Sequence, residues 1–199
     1  MVKIRKLVTK VRYSPQLRRN LKHQSNVLDI KDNILILDNK TRWNSTLIML
    51  NSIISLRLPI RNLIAKYPEL SSYYLSTAEV TILANIANIL ALFEKPTIKL
   101  QGSKYPTLFY SLPYYLSLKK DLVAYKEKDF ITKEPILLAA ITSAITKLDK
   151  YLQIDENKEE LLFSIILDPR RKLSAFKYFE YSNSKIEEIK LVFIEVYNR

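Results

Sequence analysis

The chain has 199 residues but a single glycine, Gly102. Tight turns, hairpins and phosphate-cradling loops all use glycine at positions where the backbone needs its conformational freedom. Neither the P-loop pattern nor the Rossmann pattern of glycines is present, so the nucleotide-binding folds that depend on them are excluded. The scarcity of glycine favours helices joined by proline, asparagine and serine.

Cysteine is absent, and histidine occurs once, at His23. Disulfide bonds and zinc fingers built from cysteine and histidine are therefore excluded within this sequence. No uninterrupted apolar run of about 18 residues occurs, and the first residues lack the apolar core of a signal peptide. These features predict a soluble intracellular protein with no membrane partner.

Acidic residues are missing from the N-terminus. The net charge is +12, and the first 28 residues carry eight cations before the first acid, Asp29. The remaining 24 cations and 20 acids leave only +4 for the rest of the chain. Such a concentration of charge is typical of a nucleic-acid surface, although a solvated helix face has the same composition. The cations are Lys3, Arg5, Lys6, Lys10, Arg12, Arg18, Arg19 and Lys22.

Hydrophobic periodicity predicts an all-α or mainly α helical bundle with at most one or two short strands. Ile34–Leu37 is the candidate for a brief strand or an extended segment. The helix over 77–93 has almost no polar face, which predicts that it is the central buried helix. The other predicted helices span about 3–12, 15–28, 107–125, 135–152, 156–166 and 184–197, and a further helix has an apolar stripe over 47–56 that Pro59 interrupts and that continues to residue 67.

Several local signals predict where these helices begin and end. Ser14 followed by Pro15 is typical of an N-cap and a first helical residue, and Asp168 followed by Pro169 has the same pattern. Thr41 or Asn44 is predicted to cap the third helix, and Pro59 to end or kink it. Turns are predicted at residues 32–33 and 102–106, a connection between Pro96 and Pro106, and a charged loop over 126–133.

The only tryptophan, Trp43, follows Arg42 in a dense polar segment, residues 38–46, ahead of an apolar helix. A lone tryptophan at the start of a helix is usually a core anchor, because it buries a large area. An arginine beside an indole can instead pair with a phosphate while the ring stacks on a base. The residues alone leave both interpretations open.

Three blocks in this order resemble elements of hAT-superfamily transposases, the group that includes the BED-finger transposase-derived proteins. They are DNKTRWNSTLIML at 38–50, KLQGSKYPTLFYSL at 99–112 and IILDPRRKL at 165–173. The resemblance implies a helical domain that is inserted into an RNase H-like catalytic core. It also implies that Arg42 and Trp43 correspond to a pair whose tryptophan stabilises a flipped base.

The same resemblance implies that no independent catalysis takes place. In the family, two aspartates lie upstream of the arginine–tryptophan block and one glutamate lies downstream of the LDPR block, and together they hold metal ions. We expect all three to lie outside this sequence, together with the BED finger and the dimerisation segment. No catalytic residue, metal ligand or cofactor is therefore assigned, and the expected location is the nucleus.

Together these observations predict a basic helical arm over residues 1–28 and a transposase-like helical domain over 29–199. The predicted function is a non-catalytic fragment or remnant of a hAT-type transposase that binds DNA. The expected contacts are the eight N-terminal cations, Arg42, Trp43, Arg170 and Arg171. The alternatives are a helical interaction module that self-associates or joins a catalytic transposase chain, and an inert relic.

Overall fold

A computed structural model describes residues 1–31, 34–39, 41–103, 106–155 and 158–199, except for the side chains of residues 153–155. The described residues form helices and no strand, which confirms the predicted all-α class. The segment 34–39, considered as a brief strand, has no regular secondary structure. The predicted turn at residues 32–33 and the centre of the predicted turn at 102–106 lie outside the described residues.

The chain divides into two compact units, Met1–Ala91 and Leu92–Arg199. The predicted boundary after residue 28 does not coincide with this division. Within the first unit the elements are α1 (Val2–Tyr13), α2 (Pro15–Val27), α3 (Trp43–Ser55), α4 (Arg57–Lys66), a 3₁₀ helix (Pro68–Tyr73) and most of α5 (Thr77–Leu100).

The basic N-terminal segment is part of a core and not an arm. Ile4, Leu7, Val8 and Val11 recur at helical spacing on one face of α1, and all four are buried. Leu17 and Leu21 do the same on α2, which packs on α1 and α4. Because this apolar face needs a partner, the segment folds against the rest of the unit and leaves its cations on the outer faces.

The turn between α1 and α2 has the predicted cap. The Ser14 hydroxyl accepts a hydrogen bond from the main-chain N–H of Leu17 at 3.3 Å, and Pro15 is the first residue of α2. Serine accepts a bond that the helix start would otherwise leave unmade, and proline has no N–H to satisfy there. This predicted helix start is confirmed.

The break between α3 and α4 follows from Pro59. Pro59 is the third residue of α4. The first four N–H groups of a helix have no acceptor within the helix, so a proline at this position leaves no helical hydrogen bond unmade. The two helices are bent by 68° at Leu56, whose side chain is fully buried. The predicted interruption is confirmed.

The predicted cap of α3 is wrong. Arg42 is the residue at the N-cap, and no side chain there caps the helix. The Thr41 hydroxyl donates to the side-chain oxygen of Asn39, and Asn44 lies inside the helix. The Ser45 hydroxyl binds the turn instead: it accepts from the Asn39 N–H at 2.8 Å and lies 2.6 Å from the Arg42 carbonyl oxygen.

The prediction that α5 is the central buried helix is also wrong. Only Leu83, Asn85 and Ala87 are buried along its length. Uniform apolar composition does not reveal which face of a helix has a partner, and here much of the apolar surface is only partly covered. Helix α5 is long and apolar enough to cross a membrane, and 17% of its most apolar 18-residue stretch is buried. Helices α3 and α4 are long and apolar enough only when they are taken together as one bent span.

In the described part of the chain, the second unit contains the end of α5 and six further helices. Its core is formed by buried residues of several of them, including Leu112, Leu162, Ile165, Phe176 and Ile189. The helices are α6 (Leu108–Lys126), α7 (Asp129–Thr132), α8 (Pro135–Asp155), α9 (Glu159–Leu167), α10 (Ser174–Tyr178) and α11 (Asn183–Tyr197).

Three local expectations for this unit need correction. Helix α5 continues through Pro96 to Leu100, so this proline does not end the helix. The charged loop at 126–133 contains the one-turn helix α7. Asp168 is the C-cap of α9, but its carboxylate still accepts from the main-chain N–H of Arg170 at 3.1 Å, which closes a turn around Pro169.

The one glycine does not supply the left-handed turns of the described chain. Asp29, Lys172 and Glu180 have positive φ angles of 51°, 52° and 65°. Asp29 lies directly after the C-cap of α2, a place where helices commonly end with a left-handed residue. Lys172 and Glu180 are less favourable in this conformation, because they lack the short polar side chain that lets aspartate tolerate the crowding of Cβ against the following carbonyl.

Replacing Leu50 by alanine tests the core of the first unit. Leu50 is fully buried in α3, so Leu50→Ala is expected to destabilise the unit by about 2–5 kcal/mol. Urea unfolding followed by the emission of Trp43, the only tryptophan, measures this unit. Ile48→Ala, on the exposed face of the same helix, is the matched control and should cost less than about 1 kcal/mol. Equal losses would contradict the assignment of the core.

Candidate nucleic-acid interface

A partly buried ion pair fixes the polar segment that precedes Trp43. The Arg5 guanidinium on α1 donates from Nε and from one terminal nitrogen to the Asp38 carboxylate, at 3.0 and 2.6 Å. The Asp38 side chain is 1% exposed and the Arg5 side chain 30%. The Thr46 hydroxyl on α3 donates to the same carboxylate at 3.1 Å. Asp38 therefore connects α1 to the first turn of α3.

These hydrogen bonds stabilise the charged form of Asp38. Donation from the Arg5 guanidinium lowers the pKa of the Asp38 carboxyl, burial opposes that shift, and the Thr46 hydroxyl adds to it. The same pair raises the pKa of Arg5 above its usual range. Asp38, which belongs to the first sequence block, is thus occupied by a structural ion pair.

Arg42 and Trp43 differ in their surroundings although they are adjacent. Arg42 is exposed, and its side chain has no hydrogen-bond or ion-pair partner among the described residues. Trp43 is partly buried and packs against the core of the first unit. The indole therefore has the core contact that a lone tryptophan usually makes, while its neighbour presents a free guanidinium at the start of α3.

A groove beside this ion pair contains three of the predicted cations. It has a volume of about 520 Å³ and runs along α1, with Arg5, Lys6 and Lys10 in its walls and Asp38 at one end. The Lys10 ammonium donates to the Glu69 carbonyl oxygen at 3.0 Å and lies 5.7 Å from the centre of the Tyr73 ring. Lys6 is exposed and has no described partner.

The remaining cations of α1 and α2 divide into engaged and free side chains. Lys3 forms an ion pair with Glu79 at 2.9 Å, and Arg12 donates to the Leu35 carbonyl oxygen at 3.1 Å. On the exposed face of α2, the described structure gives no side-chain partner to Arg18, Arg19 and Lys22. The charge cluster in the sequence is thus distributed over two helices, and only part of it is free.

Asn44 has a feature that the sequence analysis did not identify. Its side-chain oxygen is buried and has no hydrogen-bond partner among the described residues. A buried acceptor without a donor is uncommon and costs free energy. One local signal is the position of this amide directly after Arg42 and Trp43, a position that by itself indicates only a possible helix cap.

In the second unit, the predicted contacts Arg170 and Arg171 surround Asp168. The Arg170 guanidinium donates from Nε to the Asp168 carboxylate at 2.9 Å, and Arg171 lies 3.7 Å from the other oxygen. The Asp168 side chain is 2% exposed, and donation from Arg170 lowers the pKa of its carboxyl. Asp168 therefore holds the turn around Pro169 in the same way that Asp38 holds the start of α3.

Both arginines also lie over aromatic rings. The Arg170 guanidinium is 5.1 Å from the centre of the Phe109 ring, and the Arg171 guanidinium is 5.7 Å from that of Tyr110. Arg170, Phe109 and Tyr110 line a small cleft with Lys99. Such stacking orients a guanidinium but leaves donors for an anion.

The described ranges contain no group of three or more histidine or acidic side chains that could hold a metal ion. Asp38 and Asp168 are each bound to arginine.

Comparison with known proteins places a resemblance on the first unit. The family model described as the ZBED1 RNase-like helical domain matches residues 1–89. No curated protein and no solved structure matches the chain. The match supports a transposase-related helical region here, and it includes the block around Arg42 and Trp43. The second and third blocks, beyond residue 99, lie outside the matched residues.

Acid unfolding tests the role of Asp38. Its pKa is lowered in the folded state from about 3.9 in the unfolded chain, so the pair stabilises fully above about pH 4. This stability is lost as the pH falls through the folded-state pKa. Asp38→Asn should cost about 1.5–3 kcal/mol at pH 7 and flatten the loss of stability in acid, measured by urea unfolding at several pH values.

Asp29→Asn is the matched control for this experiment. Asp29 is exposed, its side chain has no described partner, and asparagine tolerates the same left-handed backbone. The control should leave both the stability at pH 7 and its acid dependence close to those of the unmodified chain. An Asp38→Asn variant with an unchanged acid profile would refute the proposed contribution.

Proposed function

We propose that this chain is a non-catalytic fragment or remnant of a hAT-type DNA transposase, and that it binds DNA through Arg42 and Trp43 with help from cations of α1 and α2. The observation that carries the proposal is the exposed, unpartnered Arg42 guanidinium at the start of α3. It lies beside the partly buried Trp43, inside the segment that is similar to the ZBED1 helical domain.

The start of α3 is suited to a phosphate. No acid lies in its first turn and no side chain caps it, so main-chain N–H groups add to the positive potential of Arg42. The Arg5–Asp38 pair holds the preceding segment in place, which limits the freedom lost on binding. In this proposal a base stacks against the indole of Trp43, which is only partly buried.

The free cations supply the electrostatic part of the binding. Lys6, Arg18, Arg19 and Lys22 are exposed and unpartnered in the described structure, so phosphates can displace counterions at each of them. Lys3 and Arg5 are engaged with acids and contribute less. Arg170 and Arg171 are expected to make a further contact from the second unit, because stacking and Asp168 orient them.

Catalysis is not part of the proposal. The two acids of the matching blocks, Asp38 and Asp168, are bound to arginines that lower their pKa values. A companion transposase chain would supply the carboxylates for strand cleavage, and this chain would contribute DNA contacts. A nuclear location follows from that role.

A second function is favoured by α5. Much of its apolar length is only partly covered, and 17% of its most apolar window is buried. Such a surface suits self-association or contact with another protein. A helical interaction module of this kind predicts oligomers that form with concentration and without DNA affinity. An inert relic predicts neither property.

Fluorescence anisotropy with labelled hairpin and plain duplex DNA tests the main proposal. Arg42→Ala is expected to weaken hairpin binding by about tenfold at physiological salt, because it removes a charge-assisted contact at the flipped-base site. Trp43→Phe, which keeps most of the core contact, should weaken hairpin binding more than duplex binding.

Lys147→Ala is the control, since Lys147 is exposed on α8 and has no described partner. It should change the affinity by less than about twofold. The proposal would be refuted if DNA binding disappeared at modest salt concentration and Arg42→Ala left the DNA affinity unchanged. Sedimentation at rising protein concentration distinguishes the interaction module from the relic in that case.

A further inference from the structure

A second groove in the first unit has a different chemistry from the one along α1. It has a volume of about 530 Å³ and lies between the end of α3, the outer face of α4 and the first turns of α5. Thr77, Val80, Thr81 and Ala84 line it from α5, a spacing that places them on one helix face. Most of the other walls are apolar: Ile54, Leu58, Ile60, Ile64, Tyr74 and Leu75.

Among the residues that the structure describes, all the charge at this groove is positive. Arg57 and Arg61 are the only charged lining residues of this described part, and they are one helical turn apart on α4. Arg57 donates to the Ile54 carbonyl oxygen at 3.2 Å, which holds its guanidinium at the rim. Arg61 has no described partner. The side chains of Leu58 and Tyr74 are close to half exposed beside them, at 46% and 47%.

We propose that this groove, independently of DNA binding, docks an amphipathic helix of a partner protein that carries acidic residues beside its apolar stripe. An apolar trough between two helices accepts the apolar face of a third helix. Arg57 and Arg61 are about 6 Å apart along the α4 axis, a rise that carboxylates at positions i and i+4 of the partner match. Charge complementarity therefore selects an acidic helix over a neutral or basic one.

The same observations disfavour two other occupants. A second copy of this chain would bring its own arginines to the same surface in a symmetric contact, and like charges would face each other. The phosphates of a DNA duplex would satisfy Arg57 and Arg61, but a duplex keeps its base faces stacked and brings no aliphatic side chains to fill the trough between Ile54, Ile64 and Val80. An acidic amphipathic helix satisfies both parts of the groove.

The test uses the full chain and a synthetic probe. The probe is a fluorescein-labelled helical peptide with leucines at i, i+3, i+4 and i+7 and glutamates one turn apart, and a scrambled peptide of the same composition is its control. We expect the amphipathic peptide to bind at least about tenfold more tightly than the scrambled one in fluorescence polarisation. The double variant Arg57→Glu/Arg61→Glu should lose this preference.

A charge-matched variant separates the groove from the basic character of the whole chain. Lys147→Glu/Lys150→Glu makes the same change of charge at two exposed residues of α8 and should leave peptide binding within about twofold. Leu58→Ala removes an exposed apolar contact without a change of charge, and should weaken the peptide about tenfold while the fold is kept. Circular dichroism and Trp43 emission check the fold of each variant.

Three results would overturn the proposal. Equal binding of the scrambled peptide, or equal losses in the α4 and α8 double variants, would mean general attraction to a basic protein. Displacement of the peptide by duplex DNA, with loss of DNA binding in Arg57→Glu/Arg61→Glu, would assign the arginines to nucleic acid. A dimer in sedimentation that Leu58→Ala dissociates would assign the groove to a second copy.

Discussion

The bidentate pair between Arg5 and Asp38 is the interaction on which the first unit depends. Its carboxylate is almost fully buried and accepts from α1 and from the first turn of α3 at the same time. A buried charge is tolerable only when its partners are fixed, so the pair specifies one register between these helices. The position of Arg42 and the packing of Trp43 follow from that register, because both residues lie within the segment that Asp38 anchors.

The second unit uses the same device at another place. Asp168 is buried, accepts from Arg170 and closes the turn that follows α9. In both units the aspartate that binds an arginine belongs to one of the sequence blocks that resemble transposase elements. A comparison of motifs alone invites a catalytic interpretation of such acids, whereas their contacts give each a structural task. The chemistry available to a ligand therefore lies with the free cations and the aromatic rings.

The helices and several of their ends could be predicted from the sequence, since periodicity, Ser14–Pro15 and Pro59 are local signals. The burial of α5 could not, because a uniformly apolar helix gives no indication of which neighbours cover it. The composition of the N-terminal segment predicts a cluster of cations. It does not predict which of them form ion pairs, because their partners, such as Asp38 and Glu79, are distant in sequence. The unpartnered oxygen of Asn44 likewise depends on tertiary packing.

The near absence of glycine affects the unfolded chain as much as the folded one. Glycine has the largest backbone freedom to lose, so a chain with one glycine in 199 residues begins folding from a narrower ensemble. The left-handed turns at Lys172 and Glu180 offset part of that advantage, at roughly 1–2 kcal/mol each. The stability of the protein therefore depends on two opposing contributions: the restricted unfolded chain favours folding, and the cost of these two turns opposes it.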